Sequence, residues 1–199
     1  MSVDFYDLNA GAFFQRSVNA DMGPLHERFL ADVPPGGAIL DAGCGSGRDA
    51  RAFTIAGYNV TAFDGSAAMV RMASAHTGLR VLHMTFDEVE WSGAFDGVWA
   101  CASLLHVATV ALPATAARLT RALRPGGILF ASFKDGDSER ELGGRRFTDL
   151  RPSAVQSLLV GAGLQVLDVW SAADVRPDRP DEMWVSAIAR KPLQARVGV

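Results

Sequence analysis

Between residues 38 and 134 the chain alternates strand-length and helix-length segments, and few architectures accept that order. AILDAG (38–43), NVTAFD (59–64), RVLHM (80–84), FDGVWACA (95–102) and GILFASFK (127–134) read as strands. RDARAFTIAG (48–57) and SAAMVRMASAHTG (66–78) read as helices ending at Gly57 and Gly78. A third helix runs from about Val110 to Leu123 and is stopped by the turn-forming RPGG at 124–127. With helices between consecutive strands, the strands pair in parallel and the helices cover both faces of the sheet.

The flanks extend this plan. A helix over 152–161 starts near Pro152, and LQVLDVWS (164–171) and MWVSAIARK (183–191) are strands. Only a loop joins these two strands, so they pair antiparallel at a sheet edge. Upstream, Tyr6, Ala10 and Phe14 repeat every four residues. Met22, Leu25 and Phe29 take helical spacing after Asp21, the expected N-cap, and PPGG (34–37) is a turn. The predicted fold is α/β and Rossmann-like: a seven-stranded, mostly parallel sheet with helices on both faces and an antiparallel C-terminal hairpin. A chain of 199 residues favours one domain, with residues 1–35 as a helical cap and 36–199 as the core.

Composition narrows the setting. The net charge of -3 and the lack of a basic stripe speak against nucleic acid as a partner. Cys44 and Cys101 are far apart and lack metal-ligand spacing, so reduced thiols and no bound metal are expected. Asp4 and Asp7 stand where a secretion signal carries basic residues, which points to the cytoplasm. The stretch from Gly97 to Ala117 carries no Asp, Glu, Lys or Arg, yet it reads as a buried strand, a loop and a helix rather than a membrane span.

The first strand runs into ILDAGCGSGRDA (39–50). In an open α/β sheet, ligands bind beyond the carboxyl ends of the strands, where strand order reverses, and glycines there let a ligand approach the backbone. The nicotinamide-dinucleotide fingerprint asks for a small residue where this loop has Arg48. Asp41, just before the loop, opposes a pyrophosphate but suits an ammonium group. Asp64, ending the second strand in FDGS (63–66), is placed to accept both hydroxyls of a ribose.

ILDAGCGSGRDA, AFDGS, FDGVWACASLLHV and LRPGGILFASFK resemble the successive motifs of the class I S-adenosylmethionine (SAM)-dependent methyltransferases, over about residues 36 to 135. More narrowly, the chain is similar to small bacterial methyltransferases of the tellurite-resistance and trans-aconitate types. The resemblance implies that Gly43, Cys44, Gly45 and Gly47 line the methionine part of SAM, with Asp41 near its amino group. It implies that Asp64 takes the ribose, with Gly65, Ser66 and Met69 nearby, and that Thr85 and Phe86 receive adenine. Many members carry an aspartate where this chain has Met84; Asp87 is an alternative. Ala100 and Cys101 would lie beside the sulfonium, and Tyr6 and Arg16 of the N-terminal cap would cover the cofactor. The product would be S-adenosylhomocysteine (SAH).

Methyl transfer needs alignment more than a base. His106, just past the fourth strand, is the candidate base, against a packing role. Lys134, Arg145 and Arg146 are candidate substrate-binding cations for a carboxylate or phosphate. The segment SERELGGRRFTDL (138–150) that holds two of them is also rich in acids, so a self-neutralised loop is the competing reading. The expected function is methyl transfer to a small, anionic molecule at oxygen, nitrogen or sulfur, by a monomer or homodimer without a membrane anchor. The alternatives are a SAM-binding partner or sensor without transferase activity, a methyltransferase of RNA or protein, and a nicotinamide-dependent oxidoreductase.

Overall fold

The computed structural model describes residues 2–176, 179 and 181–193. Seven strands form the main sheet: β1 (Ala38–Ala42), β2 (Asn59–Asp64), β3 (Leu82–His83), β4 (Phe95–Ala100), β5 (Leu123–Lys134), β8 (Gln165–Ala173) and β9 (Met183–Arg190). Their order is β3-β2-β1-β4-β5-β9-β8. The pairs among β1 to β5 are parallel, and β9 lies antiparallel between β5 and β8. Strand order reverses between β1 and β4, so the cleft for a ligand opens beyond those two carboxyl ends.

Among the described residues six α-helices accompany the sheet: α1 (Ser2–Ser17), α2 (Gly23–Leu30), α3 (Arg48–Ile55), α4 (Ala67–Thr77), α5 (Leu112–Ala122) and α6 (Pro152–Gly161). Strand alternation sorts the core into two layers. Leu40, Val98, Leu129 and Ala131 pack with Leu119 of α5 and Val155 and Leu159 of α6. Ile39, Trp99, Ile128 and Phe130 point the other way, onto Met22 and Phe29 of α2 and Phe53 of α3. Trp99 is fully buried and stacks on Phe130 with ring centroids 3.9 Å apart. Among the described residues no helix is long and apolar enough to cross a membrane.

Four local features depart from expectation. Asp21 is not the cap of α2; that position is Met22, and Asp21 Oδ1 accepts from the Gly23 amide at 2.9 Å in a side-chain turn. RPGG does not stop short of the sheet. Its residues lie inside β5, where the pairing shifts from Phe95↔Leu123 to Gly97↔Ile128 across an irregularity. The third strand shrinks to Leu82–His83. The segment 138–150 is not a loop: β6 (Glu139–Leu142) and β7 (Arg145–Thr148) form a separate hairpin. Its two-residue turn, Gly143 and Gly144, has φ of 58° and 77°, the signature of the hairpin turn that needs left-handed backbone twice.

The layer under α2 is tight at Gly97, where an added Cβ would sit 2.7 Å from Phe29 Cζ and 3.2 Å from Val33 Cγ2. Gly97→Ala is expected to destabilise the fold by about 1–3 kcal/mol through overpacking, and Phe29→Leu in the same chain should recover part of that loss. Urea denaturation of both variants tests this; an unchanged midpoint for Gly97→Ala would show that α2 shifts freely off the sheet.

Candidate active site

The loop after β1 is shaped by its own backbone. The amides of Gly43 and Cys44 both donate to the Phe63 carbonyl, at 3.0 and 2.9 Å, which ties the loop to β2. Gly43 has φ 77°, and a Cβ there would lie 2.6 Å from Ser103 Cβ, so no other residue fits. Gly47, at φ 74°, is the cap residue of α3, and its absent side chain gives room to Thr77 of α4 rather than to the cleft.

The loop delivers Gly45 to Asp64. The Gly45 amide donates to Asp64 Oδ2 at 2.8 Å, and the Ser66 amide donates to Oδ1 at 2.9 Å. The carboxylate at the tip of β2 is thereby fixed with one lone pair on each oxygen still available. Burial raises its pKa, against the opposing pull of those two amides. A cavity of about 260 Å³ opens in front of it. Gly43, Gly45, Asp64, Gly65, Ser66 and Met69 line one side. Met84, Thr85 and Phe86 line the next wall, where Phe86 sets its edge against Phe63.

Two residues the sequence reading did not single out hold this half together. Asp7 of α1 accepts from Ser66 Oγ at 2.6 Å and from the Ala68 amide at 2.9 Å, bolting α1 to the start of α4. Asp49 lies under the loop, on the α3 face. Its carboxylate receives Arg48 Nε and Nη2, both at 2.8 Å, Trp99 Nε1 at 2.9 Å and His26 Nε2 at 3.0 Å. Burial alone would raise its pKa; Arg48 overrides burial and holds the acid well below the usual carboxylate range.

The other half of the cavity is made by Ser2, Val3, Tyr6, Phe13, His106 and Val107. His106 Nδ1 lies 2.7 Å from the Arg146 carbonyl, which can only accept, so Nδ1 carries the proton. Its Nε2 therefore accepts from the Tyr6 hydroxyl at 2.8 Å. Burial pushes the His106 pKa down to about 4; the Arg146 carbonyl opposes this, and the charges of Arg145 and Lys134 add to it. The imidazole is neutral at pH 7, with both nitrogens engaged.

Several residues expected in the cleft lie elsewhere. Asp41 shares strand parity with Ile39, so its side chain turns to the α3 face, away from the cavity lining. It is 2% exposed, its Oδ2 has no hydrogen-bond partner among the described residues, and burial with neighbouring Asp49 raises its pKa well above the carboxylate range. Cys44 packs beside the cluster of Ala50, Ala62 and Ala73. Ala100 is wholly buried, and Cys101 faces the Trp99 layer, its thiol pushed up to about 12 by burial. The cavity is lined instead by Ala102 and Ser103, because the chain leaves β4 through a left-handed turn at Ala102 (φ 50°). Arg16 borders a different hollow, with Asn19, Asp21 and Arg179.

The three candidate cations separate. Lys134 pairs with Glu182 at 3.0 Å, and the Arg146 side chain pairs with Glu139, leaving its backbone to the cavity wall and to His106. The Arg145 guanidinium lies 4.5 Å from the Phe5 ring centroid and 5.0 Å from that of Phe147.

Residues 39–127 match the family described as a methyltransferase domain. The malonyl-[acyl-carrier protein] O-methyltransferase of Pectobacterium atrosepticum is 38% identical over 115 residues, 55% of this chain and 45% of that protein. The ubiquinone biosynthesis O-methyltransferase of Xanthomonas campestris pv. campestris is 35% identical over 106 residues, 49% of this chain and 43% of its own. The chain thus spans about half the length of the curated relatives it matches. Among solved structures, the Burkholderia thailandensis 1,6-didemethyltoxoflavin-N1-methyltransferase, determined with 1,6-didemethyltoxoflavin and SAH, superposes with TM-score 0.78 at 25% identity. The match covers 95% of this chain and 86% of that one. None of these three bears on the narrower likeness to tellurite-resistance and trans-aconitate types. With the glycine loop, the clamped Asp64 and the strand order all in place, residues 39–127 are matched as a methyltransferase domain and the chain is similar to class I SAM-dependent methyltransferases.

Proposed function

We propose that this protein binds SAM and transfers its methyl group to a small molecule. The observation that carries the reading is the Asp64 clamp, which presents a fixed carboxylate to a cavity whose far side is closed by Tyr6 and His106. The residues fit the cofactor. Asp64 keeps an acceptor site on each oxygen for a ribose diol, Met69, Met84 and Phe86 offer an apolar slot for a base, and Gly43 and Gly45 leave room along the loop. In the family, SAM supplies a methyl group on a positively charged sulfur.

Each lining group has a task in this reading. Asp64, Gly65 and Ser66 hold the nucleoside half, and Gly43, Gly45 and Ser103 border the remainder. Tyr6 and His106 bound the acceptor half. With Nδ1 donating to Arg146 and Nε2 accepting from Tyr6, His106 is a positioning residue that orients the Tyr6 hydroxyl. Catalysis then rests on alignment, which suits a displacement whose leaving group is a neutral thioether. The names of the two curated relatives, both O-methyltransferases, favour oxygen as the accepting atom.

Two measurements test the reading. Asp64→Ala is expected to weaken SAH binding roughly 10- to 100-fold by calorimetry, since a hydrogen bond to a charged group contributes about 1.5–3 kcal/mol. Unchanged affinity would remove the ribose assignment. The second concerns His106. Its folded pKa of about 4 lies below the ordinary 6.5, so the unfolded chain binds more protons between those values. His106 therefore contributes stability that is complete above pH 6.5 and is lost as the pH falls to about 4. Across that window the parent protein should lose more melting temperature than His106→Gln; parallel curves would mean that the imidazole is not held neutral.

A further inference from the structure

Phe147 of β7 is ringed by cations. Lys134 Nζ lies 5.3 Å from its centroid, Arg140 Cζ 5.0 Å and Arg145 Cζ 5.0 Å. Two of the three are neutralised: Lys134 by Glu182 at 3.0 Å, and Arg140 by Asp149 at 2.7 Å. Arg145 is different. Among the described residues no carboxylate pairs with it, and its Nε is buried without a hydrogen-bond acceptor. A guanidinium in that condition is costly unless something arrives to accept from it.

Its place says what arrives. Arg145 does not line the cavity itself; it stands just beyond Tyr6 and His106, which do. Its charge bears on both Tyr6 and His106. The faces of Phe5 and Phe147 hold the guanidinium plane, so its donors are fixed behind the Tyr6 and His106 wall rather than free to swing. Nothing at that end serves as a base, because both nitrogens of His106 are already engaged. An acceptor that arrives already deprotonated and suits a planar cationic group fits this end best. A carboxylate meets both conditions.

We infer that the methyl acceptor is a carboxylic acid, that Arg145 receives its carboxylate, and that the product is a methyl ester. The inference rests on the proposed SAM-dependent activity. One carboxylate oxygen gives an electron pair to the methyl carbon while the carbon–sulfur pair stays with sulfur. The positive charge on sulfur and the negative charge on the acid vanish together, and no proton moves. Arg145 holds the second oxygen, and the Tyr6 hydroxyl, oriented by His106, fixes the approach.

The test uses the full chain with saturating SAH, benzoate as the probe and benzamide as its uncharged counterpart, with the Arg145 side-chain N–H and the His106 ring followed by NMR. Benzoate should move both signals saturably and benzamide should not. Arg145→Gln should weaken the benzoate response on His106 roughly tenfold or more, Arg145→Lys less, and Arg140→Gln should leave it intact. An equal response to benzamide, a response that survives Arg145→Gln, an equal loss in Arg140→Gln, or no response to benzoate would each overturn the inference. SAH calorimetry on the same samples keeps the two readings apart. SAH binding without a benzoate response removes the carboxylate site alone, and a benzoate response without SAH binding removes the cofactor reading and with it the methyl-ester product, leaving an anion site at Arg145.

Discussion

The buried carboxylate of Asp49 is the interaction on which the cleft depends. It sits in the apolar layer between the sheet and α2–α3, where an unpaired charge would be prohibitive. It is tolerable only because Arg48, Trp99 and His26 all donate to it, and these come from α3, β4 and α2. Hydrogen bonds are directional, so this convergence fixes the entry of α3 against the sheet more tightly than apolar packing would. The entry of α3 fixes Gly47, and the loop behind Gly47 places the Gly45 amide on Asp64. A charge in the core thereby sets the geometry of a carboxylate in the cleft.

The two halves of that cleft have separate origins. The half around Asp64 is built from the ends of β1, β2 and β4, elements the sheet requires in any case. The half around Tyr6 and His106 is built from α1, the short turn after β4 that carries His106, and Arg146 of the β6–β7 hairpin. The methyltransferase-domain match, residues 39–127, takes in the ends of β1, β2 and β4 and stops short of α1 and the β6–β7 hairpin.

Much of the sheet half was legible in the sequence, because strand length, helix-ending glycines and the acid at the tip of β2 are local signals. What was missed depends on direction or on distant partners. Asp41 was expected at the ligand, but strand parity sends it to the other face. Ala100 and Cys101 were expected beside the sulfonium, yet a left-handed turn brings Ala102 and Ser103, not these two, to the cavity wall. The donors around Asp49 are separated from it by 1, 23 and 50 residues, and no local pattern reports such a convergence. The hairpin did carry a signal, the paired glycines 143 and 144, but the charges around them made the segment read as a solvated loop. Once it is a strand, alternation puts Arg145 and Arg146 on opposite sides and gives them different partners.

Tyr6 and Asp7 are neighbours in the chain, yet one reaches the His106 side of the cavity and the other the Asp64 side. Tyr6 meets His106, while Asp7 meets Ser66 and Ala68. A single helical turn therefore bridges both compartments, and it cannot settle on one without being presented to the other. Whatever steadies α1 from the nucleoside side pre-pays the ordering of the acceptor side, and the reverse holds with equal weight. Under the proposed function, SAM and the acceptor are linked through one turn of helix, without any contact between their sites having to change.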